Sequence, residues 1–201
     1  MLVLAFDTAT DVATIAVVRL PERECLGERS SRAVRILEDA DGLLVEAGLD
    51  REALEGMVVG TGPGSYTGLR VGLVTARALG FALEIPVAGV STLDALAEGA
   101  PGAAAVIDGR RGELFALGSD GPLVVRAEQL PVKPGSVYVG DGAVNYREHF
   151  EKAGGLVPPD DDPRHIPWAR HHAALAKNFG PPELAEPIYL RLPDAERAHS
   201  A

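Results

Sequence analysis

The spacing of apolar and polar positions changes several times along the chain, and each change marks an element. Residues 2–6 form an unbroken apolar run, as in a strand covered on both faces. The run ends in the polar turn Asp7-Thr8-Ala9-Thr10-Asp11. Residues 13–20 read as the returning strand of a hairpin, and residues 24–28 as a third strand. From Ser31 the period becomes helical. Ala33, Ile36, Leu37, Ala40, Leu43, Leu44 and Ala47 share a stripe, Arg32, Arg35, Glu38, Asp39 and Glu46 lie off it, and Gly48 supplies the stop. Residues 57–59 form a short apolar strand that runs into Gly60-Thr61-Gly62-Pro63-Gly64-Ser65-Tyr66-Thr67-Gly68 and then an apolar helix to Glu84. Residues 85–90 read as another strand. Ser91-Thr92-Leu93-Asp94 resembles a capping box and opens a helix to about Glu98.

Gly99-Ala100-Pro101-Gly102 is the expected boundary between two lobes, residues 1–98 and 99–201. Beyond it the opening pattern returns. Residues 105–117 repeat the apolar strand, the aspartate (Asp108), the turn and the second strand. Val137-Tyr138-Val139-Gly140-Asp141-Gly142 repeats the strand and glycine turn, and residues 146–154 a following helix. Two features recurring in order predict a duplicated α/β fold. Residues 158–163 read as a loop in which Asp160, Asp161 and Asp162 form a solvated acidic turn. Residues 166–179 read as a helix, and Pro187-Ile188-Tyr189-Leu190-Arg191 as an extended tail packed on the body.

The glycine stretch between strand and helix admits two readings. Backbone N–H groups converging at a helix N-terminus cradle anions; alternatively, the glycines only permit close strand–helix packing. The stretch contains no lysine, so it is not a P-loop, and the strand after it runs into Ser91-Thr92-Leu93 without the acidic residue of a dinucleotide fold. On the first reading Asp7, Thr8, Gly62, Gly64, Ser65 and Asp108 would contact a nucleotide, with Asp7 and Asp108 holding hydrated magnesium or orienting phosphates across a cleft. On the second, the aspartates start turns. None of His149, His165, His171, His172 and His199 is paired at i, i+4, so no helix offers a two-histidine metal site, and these residues read as surface or packed histidines. No nucleophile elbow is present, and no catalytic residue is assigned.

On the helix from Gly68 to Glu84, Arg70, Arg77 and Glu84 share one narrow polar line flanked by Leu73, Val74, Gly80 and Phe81, while Gly68, Gly72, Thr75, Leu79 and Ala82 are expected to face the sheet. Val34 and Val45 widen the apolar face of the first helix in the same way. Two helices with over-wide apolar faces predict a protein–protein surface of Val34, Val45, Arg70, Leu73, Val74, Arg77, Gly80 and Phe81, closed by a second copy of the chain when alone.

The 201 residues are 46% hydrophobic with a formal net charge of −10, which disfavours a direct grip on nucleic acid. The single cysteine, Cys25, fits a reducing compartment. No secretory leader is visible before Asp7, and Arg70 and Arg77 interrupt the most apolar stretch, so a cytoplasmic protein without a membrane span is expected.

Leu4-Ala5-Phe6-Asp7-Thr8-Ala9-Thr10, the run from Gly60 through Arg70-Val71-Gly72, and Pro86-Val87-Ala88-Gly89-Val90-Ser91-Thr92-Leu93 closely resemble the TsaB (YeaZ) family. Ile107-Asp108-Gly109-Arg110-Arg111-Gly112-Glu113-Leu114-Phe115 and the tail through Arg191 follow the same pattern, more loosely between Leu117 and Glu186. The resemblance implies a duplicated actin/Hsp70/sugar-kinase-like (ASKHA) fold, two ribonuclease-H-like lobes with mixed sheets. It also implies a non-catalytic scaffold. Its partners would be a TsaD-like catalytic subunit, which modifies the adenosine beside the tRNA anticodon, and a TsaE-like ATPase; tRNA would be reached only through the complex. The resemblance implies no metal and no cofactor held by this chain alone, and leaves room for a nucleotide in the partner complex. Many members carry a histidine just before the first long helix, where this chain reads Glu28-Arg29-Ser30-Ser31. The alternative function is an actin-like-fold ATPase or small-molecule kinase using Asp7, the glycine loop and Asp108.

Overall fold

A computed structural model of the chain describes residues 1–118 and 121–190. The first sheet holds β1 (Leu2–Asp7), β2 (Ala13–Arg19), β3 (Glu24–Ser31), β4 (Gly56–Gly60) and β5 (Val87–Val90) in the order β3-β2-β1-β4-β5. The first three strands run antiparallel; β4 and β5 run parallel to β1. Phe6 lies opposite Ile15 on one side and Val59 on the other, and Leu4 opposite Val17 and Met57. Alternation then sorts the apolar run of β1 onto two faces. Leu2, Leu4 and Phe6 join Ile15, Val17, Met57 and Val59 under α1 (Ile36–Glu46) and α2 (Tyr66–Leu83). Val3 and Ala5 join Ala16, Val18 and Val58 under α6 (Ala169–Leu175). Both faces are covered, so the strand carries no polar residue before Asp7. Leu4 and Phe6 are sealed from water, each contributing on the order of 1.5–3 kcal/mol.

The second sheet repeats the plan: β6 (Ala104–Arg110), β7 (Glu113–Gly118), β8 (Gly121–Arg126) and β9 (Tyr138–Val139) in the order β8-β7-β6-β9, with three antiparallel strands and a parallel fourth. A central strand, its two hairpin partners and a parallel neighbour form the ribonuclease-H-like order, and its recurrence gives the duplicated ASKHA plan. One face of this sheet, through Ala105, Ile107, Phe115 and Val139, packs on Leu93 and Leu96 of α3 (Thr92–Gly99). The other, through Val106, Leu114 and Tyr138, meets Ala143 of α4 (Asp141–Asn145) and Phe150 of α5 (Arg147–Lys152). Gly99 to Gly102 is the turn from α3 to β6. Two helices tie the lobes together: α3 supplies the second lobe's core, and α6, late in the sequence, covers the first sheet.

Several elements differ from the sequence reading. The first helix begins as a 3-10 turn (Ala33–Arg35) before α1, and Leu37 is exposed whereas Asp39 is buried. At about 100° per residue from Ile36, the stripe Asp39-Ala40-Leu43-Leu44 leaves Leu37 just past its edge. Asp39 tolerates burial because Ser31 Oγ donates to it, with the Arg29 and Arg35 guanidinium groups each 3.9 Å away. The helix expected over 166–179 is confined to α6, because Ala176 turns extended and Gly180 bridges to Val87. The edge strand β8, opening Gly121-Pro122, has no counterpart among the elements expected from the sequence.

Candidate functional site

The turn after β4 bears on both readings of the glycine stretch. Gly62 adopts φ +88°, a left-handed conformation that glycine enters without a Cβ penalty. Its N–H donates to Thr92 Oγ1 (3.1 Å), Ser65 N–H donates to Ala9 O (2.7 Å), and Ser65 Oγ caps α2 by accepting from Gly68 N–H (3.3 Å). A Cβ at Gly64 would overlap Ala9 O, at Gly68 Thr8 O, and at Gly72 Thr8 Oγ1. The glycines thus press α2 against the Thr8–Ala9 turn, and much of the turn's N–H capacity is used inside the chain. This geometry favours close packing over an anion cradle.

Asp7, at the end of β1, is buried. Its Oδ1 accepts from Ala9 N–H (2.5 Å); its Oδ2 lies 2.6 Å from Thr92 Oγ1, which donates, and 2.7 Å from His172 Nε2. Burial pushes the Asp7 pKa up. The neighbouring His172 imidazole and the hydrogen bonds from His172, Thr92 and Ala9 outweigh burial and hold it below the ordinary value. A Cβ at Gly60 would overlap this carboxylate, so Gly60 makes its room. His172 and Thr92 were missed as a constellation: 165 and 85 residues separate them from Asp7, and no spacing pattern links them.

Between the lobes lies a cavity of about 420 Å³. Of the six nucleotide candidates, Gly64, Ser65 and Asp108 line it, whereas Asp7, Thr8 and Gly62 do not. Asp108, in β6, is the counterpart of Asp7 at the carboxyl end of its lobe's first strand, but its setting is wetter. It accepts from Arg110 N–H (2.8 Å) and Asn145 Nδ2 (2.9 Å), and Arg110 reaches across the cleft to Asp11 (2.6 Å). Asp141 Oδ1 accepts from Asp108 N–H (2.9 Å). Three carboxylates against one guanidinium make the cavity wall net negative, which repels phosphate. Among the described residues, no group of three or more His, Cys, Asp and Glu is placed to hold a metal.

Burial pushes the Asp141 carboxyl up to about 6; the charges of Asp108 and Asp11 add to it, and the N–H groups of Asp108 and Gly142 offset it in part. A carboxyl whose folded pKa exceeds its unfolded value costs stability once pH passes the unfolded value, and the cost levels off above the folded one. Asp141→Asn keeps the acceptor for Asp108 N–H. It should stabilise the protein by about 1–3 kcal/mol above pH 6 and leave it unchanged near pH 4, read by urea titration at the two pH values. Equal effects at both would refute the assignment.

The other histidines are packed. His165 Nδ1 accepts from Gly140 N–H (3.1 Å), His149 meets the Phe150 ring edge-on, and His171 lies against Gly99, its pKa lowered to about 4 by burial and then by Arg170 and His172. His199 and Arg191 lie outside the described residues.

The second candidate surface is the outer face of α1 and α2. Val34 (87% exposed), Val45 (71%), Val74 (64%) and Phe81 (61%) are open to solvent, as expected, and Leu37 and Val71 join them. Arg70 is exposed, its guanidinium 4.0 Å over the Tyr66 ring. Leu73 and Gly80 are corrections. Leu73 is 4% exposed in the core under β1 and β4, and a Cβ at Gly80 would meet Val87 and Pro182. The buried stripe is Leu69, Gly72, Leu73, Ala76 and Gly80, and Ala82, expected inward, is exposed. Measured from Leu69 at about 100° per residue, the line Arg70-Arg77-Glu84 falls at the border of the buried face. Leu73 and Gly80 lie on the inner side of that border, Val74 and Phe81 on the outer. Arg77 accordingly turns away from the patch and donates to Ala185 O (2.7 Å).

The sequence profile of the family described as TsaD, tRNA N6-adenosine threonylcarbamoyltransferase, matches residues 29–141, more than half of the chain. An uncharacterized protein of Mycobacterium tuberculosis is 36% identical over 215 aligned residues, 96% of this chain and 93% of that one. The tRNA threonylcarbamoyladenosine biosynthesis protein TsaB of Escherichia coli is 35% identical over 126 residues, 57% of this chain and 53% of that protein. The crystallised YeaZ of Pseudomonas aeruginosa superposes with a TM-score of 0.77 at 28% identity, covering 94% of this chain and 99% of that one. This chain belongs to the TsaB/YeaZ family. In the segment before the first helix, Glu28 accepts from Arg170 N–H (3.0 Å) and pairs with the Arg170 guanidinium, and Arg29 pairs with Glu46 (2.5 Å). That segment of this TsaB/YeaZ member joins β3 to α6 and α1 through ion pairs.

Proposed function

We propose that this chain is a non-catalytic subunit of tRNA threonylcarbamoyladenosine biosynthesis that docks a TsaD-like catalytic protein through the outer face of α1 and α2. The observation that carries the reading is the exposure of Val34 in the turn before α1, Val45 on α1, and Val74 and Phe81 on α2, two helices that cover the same face of the first sheet. The names of the TsaB relatives supply the pathway. Without the partner, two copies close the face as a symmetric dimer. A TsaE-like ATPase joins the assembly, and tRNA contacts belong to the partners, in keeping with the net charge of −10. The working compartment is the cytoplasm; among the described residues no helix is long and apolar enough to cross a membrane.

The alternative, an ATPase or kinase, needs Asp7 free for a magnesium–phosphate group. The hydrogen bonds that occupy both Asp7 oxygens argue against it. Two measurements separate the readings. Mixing with a TsaD-like protein should give an equimolar complex by sedimentation, and calorimetry of the isolated chain with magnesium-ATP should show no binding at millimolar ligand. Elemental analysis should find no stoichiometric zinc or iron. Saturable ATP binding with hydrolysis, and no complex, would reverse the assignment.

A further inference from the structure

Among the described residues after α6, 176–190, none forms a further strand of either sheet; this segment runs over the surface from the first lobe to the second. Gly180 pairs with Val87 through two backbone hydrogen bonds, Val87 N–H to Gly180 O (2.9 Å) and Gly180 N–H to Val87 O (3.1 Å). Arg77 then donates to Ala185 O (2.7 Å), and Ile188 N–H donates to Thr61 O (2.8 Å) at the glycine turn. Beyond that point the Tyr189 ring lies on Tyr66 of α2, centroids 5.1 Å apart, and Leu190 packs against the second lobe's core of Leu93, Ile107 and Phe115. Ile188, Tyr189 and Leu190 thereby line the inter-lobe cavity together with Asp108, Arg110 and Asp141.

This segment is held shallowly. Of residues 181–190, Ala185 is buried and the others are partly or fully exposed. Ala185 reaches the first lobe's core, Pro182 rests on Gly80 and Leu190 reaches the second lobe's core; the rest of the segment is held by isolated hydrogen bonds and one ring pair, far fewer contacts than hold a core strand.

We propose that residues 181–190 are a strap that closes the inter-lobe cavity and opens as a unit, well below global unfolding, with its hinge at the Val87–Gly180 bridge. The cavity is then a gated space, lined in the state described here by the chain's own tail-side segment. The proposal does not depend on which partner covers α1 and α2.

Native-state hydrogen exchange tests the strap directly. The Ile188 amide should exchange at least about a hundredfold faster than the amides of Leu4 and Val17 in the core strands, with a rate insensitive to low denaturant. Tyr189→Ala should speed it by a further tenfold or so and leave Leu4 and Val17 unchanged. In a Cys25→Ser background, a Leu69→Cys thiol on the cavity wall should label faster by a similar factor when Tyr189→Ala is added. Leu190→Asp, which breaks the second-lobe anchor instead, should do the same and guards against a local effect of losing one ring. Circular dichroism and urea midpoints confirm that each variant is folded. Ile188 exchanging only with the core strands, or Leu69→Cys labelling unaltered by both strap variants, would overturn the proposal.

Discussion

His172→Ala should lower stability by about 3–5 kcal/mol, far more than loss of an ordinary helix side chain. His172 is fully buried on α6; its Nε2 meets Asp7 Oδ2 at 2.7 Å, and its Nδ1 lies 3.3 Å from Trp168 O. Truncation strands the Asp7 carboxylate in the interior with only Thr92 and Ala9 to serve it, and a buried charge robbed of its partner is costly. The pH dependence carries a definite sign. Asp7 in the wild type is held below the usual carboxylate range, so its contribution is present above the unfolded value of about 4 and is lost as pH falls through the folded one. In His172→Ala the uncompensated burial favours the protonated acid. The gap between wild type and variant should therefore be widest at neutral pH and narrow below about pH 4. Asp7→Asn combined with His172→Ala should be much less than additive, because each change alone leaves a partner stranded. Urea unfolding at pH 7 and pH 4 decides the matter. A single-variant loss under about 1 kcal/mol with an unchanged pH slope would show that the pair is incidental.

The same pair shows what local sequence can and cannot disclose. Strands β1, β2 and β4, the glycine turn and the Ser91 cap were readable because each depends on a signal within a few residues: an apolar run, a φ-permissive glycine, a hydroxyl three residues before an N–H. The repeat of strand order was readable for the same reason, since it is built twice from such signals. What failed was phase and distance. In α2 nearly every position is apolar or small, so periodicity located a polar line without telling which side of it faced inward. Val87 and Pro182 against Gly80, and Thr8 against Gly68 and Gly72, fix that choice from elsewhere in the chain. The Asp7–His172–Thr92 cluster joins three elements that only the fold brings together. Asp7 reads as a ligand-binding carboxylate because it ends an apolar strand at a polar turn; the fold buries it and turns both its oxygens to donors within the chain.

The rotation of α2 also changes which substitutions can test the proposed docking face. Leu73→Asp and Gly80→Arg look like interface probes from the sequence, but they would strike the core, Leu73 among β1 and β4 side chains and Gly80 against Val87 and Pro182. The informative pair is Val74→Asp with Phe81→Glu, both on the outer side of the polar line. At exposed positions such changes alter folding by about 0.5 kcal/mol or less. In an apolar interface each would place an unpaired charge out of water, at a cost on the order of 3–5 kcal/mol. That corresponds to a loss of roughly a hundredfold to several thousandfold in affinity, enough to abolish a micromolar dimer. Across a twofold axis each substitution occurs twice, which strengthens the effect on self-association relative to a heterologous complex. Sedimentation of the double variant should show a monomer at concentrations where the wild type is dimeric, and binding to a TsaD-like protein should fall in parallel if both partners use this face. Circular dichroism and the urea midpoint should match wild type. A folded Val74→Asp, Phe81→Glu protein that still dimerises and still binds the partner would place the interface on another surface.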